Sequence, residues 1–273
     1  WTVIPKELKH LLPPIDSATP VSGGDIHLAY RCRLTNGTPV FIKTHDRPPT
    51  GIFQAEALGL ESLNRICPGL CPKVLAVCDQ GLALEWLDLK PGLVSAKLGR
   101  QLARLHQFEA PNFGGQADNY LATIKQRQPV CSNWAELYRD YRLLPLMSQL
   151  PTQLRKDLER LLPKLEHLLD LPDPPSWLHG DLWGGNAGET TDGRAVLFDP
   201  AVSTGHREQD LAMTLLFGGF RPDFYDAYHE VYPLTDNWRE RITLHQLYPV
   251  LIHVVIFGAS YVTQARSIIK PWL

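Results

Sequence analysis

The stretch "WLHGDLWGGN", Trp177–Asn186, followed thirteen residues later by Asp199 in "LFDPA", decides how this chain is read. Asp181 precedes Asn186 by five residues. A short loop and then a hairpin would bring Asp181, Asn186 and Asp199 to one point. A carboxylate and an amide oxygen are hard ligands, suited to a Mg²⁺ ion that also carries phosphate oxygens. A second carboxylate, left free of the metal, can accept a proton from an attacking hydroxyl. A base, an amide ligand and a carboxylate ligand are the parts that phosphoryl transfer needs. Plain turn residues would explain each pair alone, but not three spacings that agree.

Working outward, the two sides of this stretch differ. The first 90 or so residues read as a small β-rich lobe. "VSGGDIHLAYRCRL" has glycines followed by an alternating β-prone run. "TNGT" (Thr35–Thr38) is a hairpin signal, and "PVFIKTH" is the returning strand. Phe53, Ala57, Leu60 and Leu63 recur at helical spacing. "KVLAVCD" and "GLALEWL" are two more strands, so the lobe is an antiparallel sheet carrying one helix. From Pro91 the pattern turns helical, with Leu98, Leu102 and Leu105 on one face and an interruption expected at Pro163. The expected fold is α+β, with an N-terminal lobe over 1–90 and a mostly helical C-terminal lobe over 91–273. A cleft between two lobes is a preferred place for ligands.

Bulk properties narrow the partners. The 273 residues are 44% hydrophobic with a net charge of -2, which gives no reason to expect nucleic acid or an anionic membrane. The longest apolar stretch, "YPVLIHVVIFGA", is short of the roughly 20 residues that span a bilayer, and is read as a buried helix. The odd count of five cysteines, with no secretory signal in "WTVIPKELKHLLPPID", predicts reduced thiols in a cytoplasm. Cys67, Cys71 and Cys78 match no common zinc spacing. A monomer is expected.

The N-terminal lobe supplies further parts. Lys43 ends a strand and Glu56 sits on the helix after it, so the pair could aim an ammonium at nucleotide phosphates. The loop Ser22-Gly23-Gly24 could lay backbone N–H groups over those phosphates. The strand "LALEWL", with Glu85 and Leu87, could offer its backbone to an adenine edge.

"HGDLWGGN", "FDPA", "GHREQDLAMTLLFGGF" and "IFGASY", together with "FQAEALGLESL", "LARLH", "FGGQADNYL" and "FYDAY", resemble the fructosamine kinase family over nearly the whole chain. The segment His206–Phe220 is more specific to that family than "HGD", which aminoglycoside and choline kinases share. The resemblance implies a protein-kinase-like fold and ATP- and Mg²⁺-dependent phosphorylation of ketosamines, sugars rearranged after condensing with an amine. It implies Asp181 as general base, Asn186 and Asp199 as Mg²⁺ ligands, and Lys43 with Glu56 as the phosphate-aiming pair. The chain departs from the family pattern at Ile252, before His253, and at Gln128, and both departures bear on acceptor recognition. Another small-molecule kinase of this fold, acting on an aminoglycoside or a choline-like alcohol, is the competing enzyme. A catalytically silent nucleotide-binding protein is the competing class.

Only ten residues separate Asp199 from Asp210, too few for a peptide-docking activation segment. Pro200 stands where a Phe would flip, which predicts a constitutively assembled small-molecule or adduct kinase. Asp210, opening a helix, could brace the catalytic loop, and His179 could orient it. Trp183 could stack a sugar ring, with ordinary loop packing as the alternative. His206, Arg207 and Glu208 are candidates for the far side of the substrate pocket, with a loop-bracing charge cluster as the alternative. His106 is given no role.

Overall fold

The computed structural model describes residues 4–21 and 27–273. The chain opens with a short helix, α1 (Lys6–Leu11), then β1 (Ile15–Pro20), β2 (Leu28–Leu34), β3 (Pro39–Thr44), helix α2 (Ile52–Ile66), β4 (Val74–Cys78) and β5 (Gly81–Glu85). These strands form one antiparallel sheet in the order β1-β2-β3-β5-β4. The β2–β3 hairpin turns where "TNGT" predicted, with Gly37 at φ 84 and the Asn36 side chain accepting from the Thr38 N–H. Strand alternation sends Val40 and Ile42 into the core beneath α1, with Leu8 and Cys32. The same alternation turns Phe41 and Lys43 to the opposite face, the face of the cleft.

The helical part follows: α3 (Ala96–Gln107), the hairpin β6 (Asn119–Leu121) and β7 (Ile124–Gln126), α4 (Trp134–Tyr138), α5 (Thr152–Leu161) and α6 (Leu165–Leu168). Pro163 has the expected effect, because α5 stops at Leu161 and a 3₁₀ turn intervenes before α6. Then come β8 (Ser176–Leu178), β9 (Ala187–Glu189), β10 (Ala195–Leu197), β11 (Ser203–Gly205), α7 (Glu208–Leu216), α8 (Pro222–Val231), α9 (Trp238–Phe257) and α10 (Val262–Ile269). A small β lobe beside a large helical lobe is the protein-kinase-like architecture expected from the sequence. Gly99 lets α3 lie against the backbone of α8: a Cβ there would stand 2.1 Å from the Phe224 carbonyl oxygen. The α1 helix, the β6–β7 hairpin and a π-helical turn at Arg139–Leu143 carry no readable sequence signal.

The C-terminal helix is longer than the apolar run that announces it. The helical run Trp238–Trp272 is long and apolar enough to cross a membrane by length and composition, yet 56% of its most apolar window is buried. Leu244, Leu247, Leu251 and Val254 join the core that α4 and α5 line, so α9 is read as a core helix. Pro249 interrupts its hydrogen bonding, and the Tyr138 hydroxyl enters at the break. It donates to the Leu244 carbonyl at 2.5 Å and accepts from the Tyr248 N–H at 3.1 Å.

Candidate active site

Strand β8 delivers His179, Gly180 and Asp181 to the cleft, and a 3₁₀ turn at Gly184–Asn186 closes the loop. The β9–β10 hairpin then carries the chain back to Asp199. It is the loop-plus-hairpin arrangement that the spacing predicts. Asp181, Asn186, Asp199, Lys43 and Glu56 all line one cavity of about 670 Å³.

The loop is held from beneath by one carboxylate. Asp210, on α7, accepts from the N–H of His179 at 2.7 Å and of Gly180 at 2.9 Å. His106 on α3 donates its Nε2–H to the same carboxylate at 3.1 Å, and its Nδ1 meets the Tyr228 hydroxyl at 2.8 Å. Burial holds the His106 pKa below its ordinary value in spite of Asp210, so the ring is neutral. Burial would raise Asp210, but the donors from His106, His179 and Gly180 hold it below the usual carboxylate range. His179 itself donates Nε2–H to the Phe198 carbonyl at 3.0 Å, tying the loop to the Asp199 strand. Gly180 has φ 84, and a Cβ there would lie 2.0 Å from the Ala201 carbonyl oxygen, so only glycine fits. His106 was missed from sequence, because its partner Asp210 is 104 residues away. Replacing His106 with leucine is expected to destabilise the chain by about 1.5–3 kcal/mol in urea unfolding, since a buried carboxylate loses a donor. It should also lower kcat through the loosened loop.

The reacting groups sit above this support. Burial, and then the nearby Asp199 charge, push the Asp181 carboxyl up to about 7, against the Asn186 amide that donates to it at 3.1 Å. A carboxylate tuned near neutrality suits a proton acceptor. Lys43 Nζ stands 2.9 Å from Glu56 and 2.6 Å from Asp199, between the two acids. Burial opposes its charge, but the two carboxylates outweigh that and hold the ammonium above its ordinary pKa. Burial pushes Glu56 up, partly offset by Lys43. Burial would raise Asp199 as well, but Lys43 holds it low and ionised. Asp199 has φ 54, a conformation few non-glycine residues adopt, and leaves 44% of its side chain open to the cavity.

The donor set fits Mg²⁺. The Asn186 NH₂ group donates twice to Asp181, once to the backbone carbonyl and once to the carboxylate, at 2.9 and 3.1 Å. Its amide oxygen has no partner among the described residues, and with the open Asp199 carboxylate it makes a pair of hard oxygen ligands.

Other expected residues fall elsewhere. Ser22, Gly23 and Gly24 lie outside the described residues. Glu85 and Leu87 are not among the cavity's lining residues and stand where the chain leaves the sheet. The Glu85 N–H is committed to the Lys73 carbonyl at 2.9 Å and its carboxylate to Arg194 at 2.8 Å. Trp183 lines the cavity and is 40% exposed. His206 and Glu208 do not face the substrate pocket, which corrects the reading of them as substrate-lining residues. Both are fully buried: His206 bonds Asp173 at 3.0 Å, and Arg241 binds both oxygens of Glu208 at 2.6 and 3.1 Å. His206, Glu208 and His245 are close enough to hold a metal ion, but the Arg241 guanidinium already neutralises the carboxylate. Arg207 is buried too, stacked on Tyr232 and bonded to its carbonyl. Of the two departures, Gln128 is buried and ties Ala117 to Val202, whereas Ile252 lines the cavity. His27, Tyr120, Phe217 and His253 also line it and were not picked out from sequence.

A β lobe and a helical lobe enclosing a lysine–glutamate pair, an Asp-Asn-Asp set and a braced catalytic loop define a protein-kinase-like phosphotransferase. The model of the fructosamine kinase family matches residues 3–273. The chain is 38% identical to a "probable ketoamine kinase" of Enterococcus faecium, covering 92% of this chain and 93% of that one. It is 33% identical to a protein-ribulosamine 3-kinase, chloroplastic, of Oryza sativa subsp. indica, over 95% of this chain and 79% of the relative. A solved Thermobifida fusca structure bearing the name fructosamine-3-kinase superposes with a TM-score of 0.88 at 38% identity, covering 97% of this chain and 96% of that one. The chain belongs to the fructosamine kinase family.

Proposed function

We propose that this chain transfers the γ-phosphoryl group of ATP to a sugar hydroxyl, the 3-hydroxyl, of a ketosamine. The observation that carries the reading is the convergence of Asp181, Asn186, Asp199 and Lys43 on one cavity, in a chain of this family. Lys43, positioned by Glu56, binds phosphate oxygens. Asn186 and Asp199 would hold Mg²⁺, which would supply positive charge to offset the charge developing on the phosphate oxygens. Asp181 takes the proton from the sugar hydroxyl as its oxygen attacks phosphorus, and ADP leaves. Trp183, beside the base, packs on the C–H face of the sugar. All of these groups come from one chain, so a monomer suffices for catalysis, and five free thiols fit a reducing cytoplasm.

A phosphate next to an enolisable ketone is a good leaving group. The phosphorylated ketosamine therefore eliminates inorganic phosphate, and water hydrolyses the imine that remains and releases the amine, so the outcome is deglycation. Purified protein and Mg-ATP are incubated with lysine-bearing ribulosamine or fructosamine, and in parallel with an aminoglycoside and choline. Mass spectrometry should show one phosphate added to the ketosamine, followed by recovery of the free amine. Rapid phosphorylation of the aminoglycoside or choline, with the ketosamines untouched, would reject the reading. No phosphorylation of any acceptor, with Mg-ATP still bound, would point to the silent nucleotide-binding protein.

A further inference from the structure

The cavity has two chemically different ends. Among the described residues Glu56, Asp181 and Asp199 are its only acidic lining residues, and they stand with Lys43 at the phosphate end. The other end is built of rings: Trp183 to Phe217 at 6.3 Å, Phe217 to His253 at 5.2 Å, His253 to Phe257 at 5.5 Å and His253 to Tyr261 at 4.9 Å between centroids. All five line the cavity, over a floor of Pro249, Ile252 and Ile256. Phe217 is 44% and Phe257 52% exposed, although rings of this size are mostly buried when they serve only packing. Contiguous exposed aromatic surface inside a cleft marks a binding surface.

His253 adds a directional group. Its Nδ1 lies 2.7 Å from the Pro249 carbonyl. A carbonyl only accepts, so Nδ1 carries a proton and Nε2 is the ring nitrogen left to accept. Among the described residues Nε2 has no hydrogen-bond partner. The sites that meet it are an N–H donor and, on the flanking rings, a cation or an apolar chain.

We propose that this aromatic end is the seat of the amine half of the acceptor. The inference rests on the ketosamine reading above. A ketosamine nitrogen is a secondary amine and is cationic at neutral pH. Its N–H donates to His253 Nε2, and its charge lies against the faces of Phe217, Phe257 and Tyr261, with no carboxylate to pair with. The substituent on nitrogen leaves the cavity past Phe257, the most exposed of the rings, so an alkyl stem such as that of lysine runs over Phe257 and Tyr261. The end selects a single soft cation on an apolar stem. A polycation such as an aminoglycoside, which needs several carboxylates, finds none there among the described residues.

The test uses one ketose in four forms: without an amine, and carrying methylamine, benzylamine or the ε-amine of Nα-acetyl-lysine. In the unmodified chain kcat/KM should rise at least about tenfold from the amine-free ketose to the benzyl and lysyl forms. Phe257→Ala should erase most of the benzyl and lysyl advantage through KM, with kcat and Mg-ATP affinity little changed, and Phe257→Tyr should restore it. His253→Leu should shrink the ratio between amine-bearing and amine-free acceptors. Melting temperatures measured alongside separate these effects from unfolding. Equal kcat/KM for all four forms, or a Phe257→Ala loss that is uniform across them, would overturn the inference and leave the ketosamine reading standing. Failure of the unmodified chain to phosphorylate any of the four would overturn both.

Discussion

Replacing Asp181 with asparagine is expected to lower kcat by about 10²–10⁴-fold while Mg-ATP still binds, because general-base catalysis contributes that range. The substitution keeps the planar shape and leaves an oxygen able to accept from the Asn186 amide, so the loop should hold its form. It removes only the basic oxygen. The native carboxyl is pushed up to about 7 by burial and by Asp199, so a neutral side chain there relieves repulsion and should not destabilise the fold. Steady-state rates with a ketosamine, and calorimetry with Mg-ATP, read the two halves separately. A loss of only a few fold would mean that Asp181 shapes the loop and does not take the proton.

Asp199→Ala should be as damaging for a different reason. It removes the one carboxylate of the proposed Mg²⁺ pair and leaves Lys43, 2.6 Å from it in the native chain, with Glu56 as its sole acidic partner. A metal clamp supplies several kcal/mol of transition-state stabilisation, so turnover should fall below about a thousandth. Mg-ATP affinity should weaken about 10–100-fold, the equivalent of about 1.5–3 kcal/mol for one charged contact. Calorimetry that returned native Mg-ATP affinity, with native turnover, would remove Asp199 from the site.

Much of this was legible because it is local. The spacing of Asp181, Asn186 and Asp199 needs only a loop and a hairpin, and the Lys43–Glu56 pair needs only a strand followed by a helix. What the sequence hid depends on distant partners. His206 and Glu208 follow the catalytic region closely and carry the right chemistry for a sugar pocket. Their partners Asp173 and Arg241 lie 33 residues away on either side, and they draw both side chains into the core. His106 had the same fault in reverse, its role set by Asp210 on another helix. The ring cluster joins residues from a loop, from the end of α7, from α9 and from the 3₁₀ turn after it, so no short window of sequence contains it.

The stretch after Asp199 has one more consequence. In ten residues it runs to Asp210, and Ser203–Gly205 within it is already zipped to β8 as β11. Lys43 and Glu56 are already joined. This stretch leaves little slack for a covalent mark to order or release, so the expected behaviour is that of a fixed conductance and not of a valve. Flux is then expected to follow the concentrations of nucleotide and acceptor at its mouth.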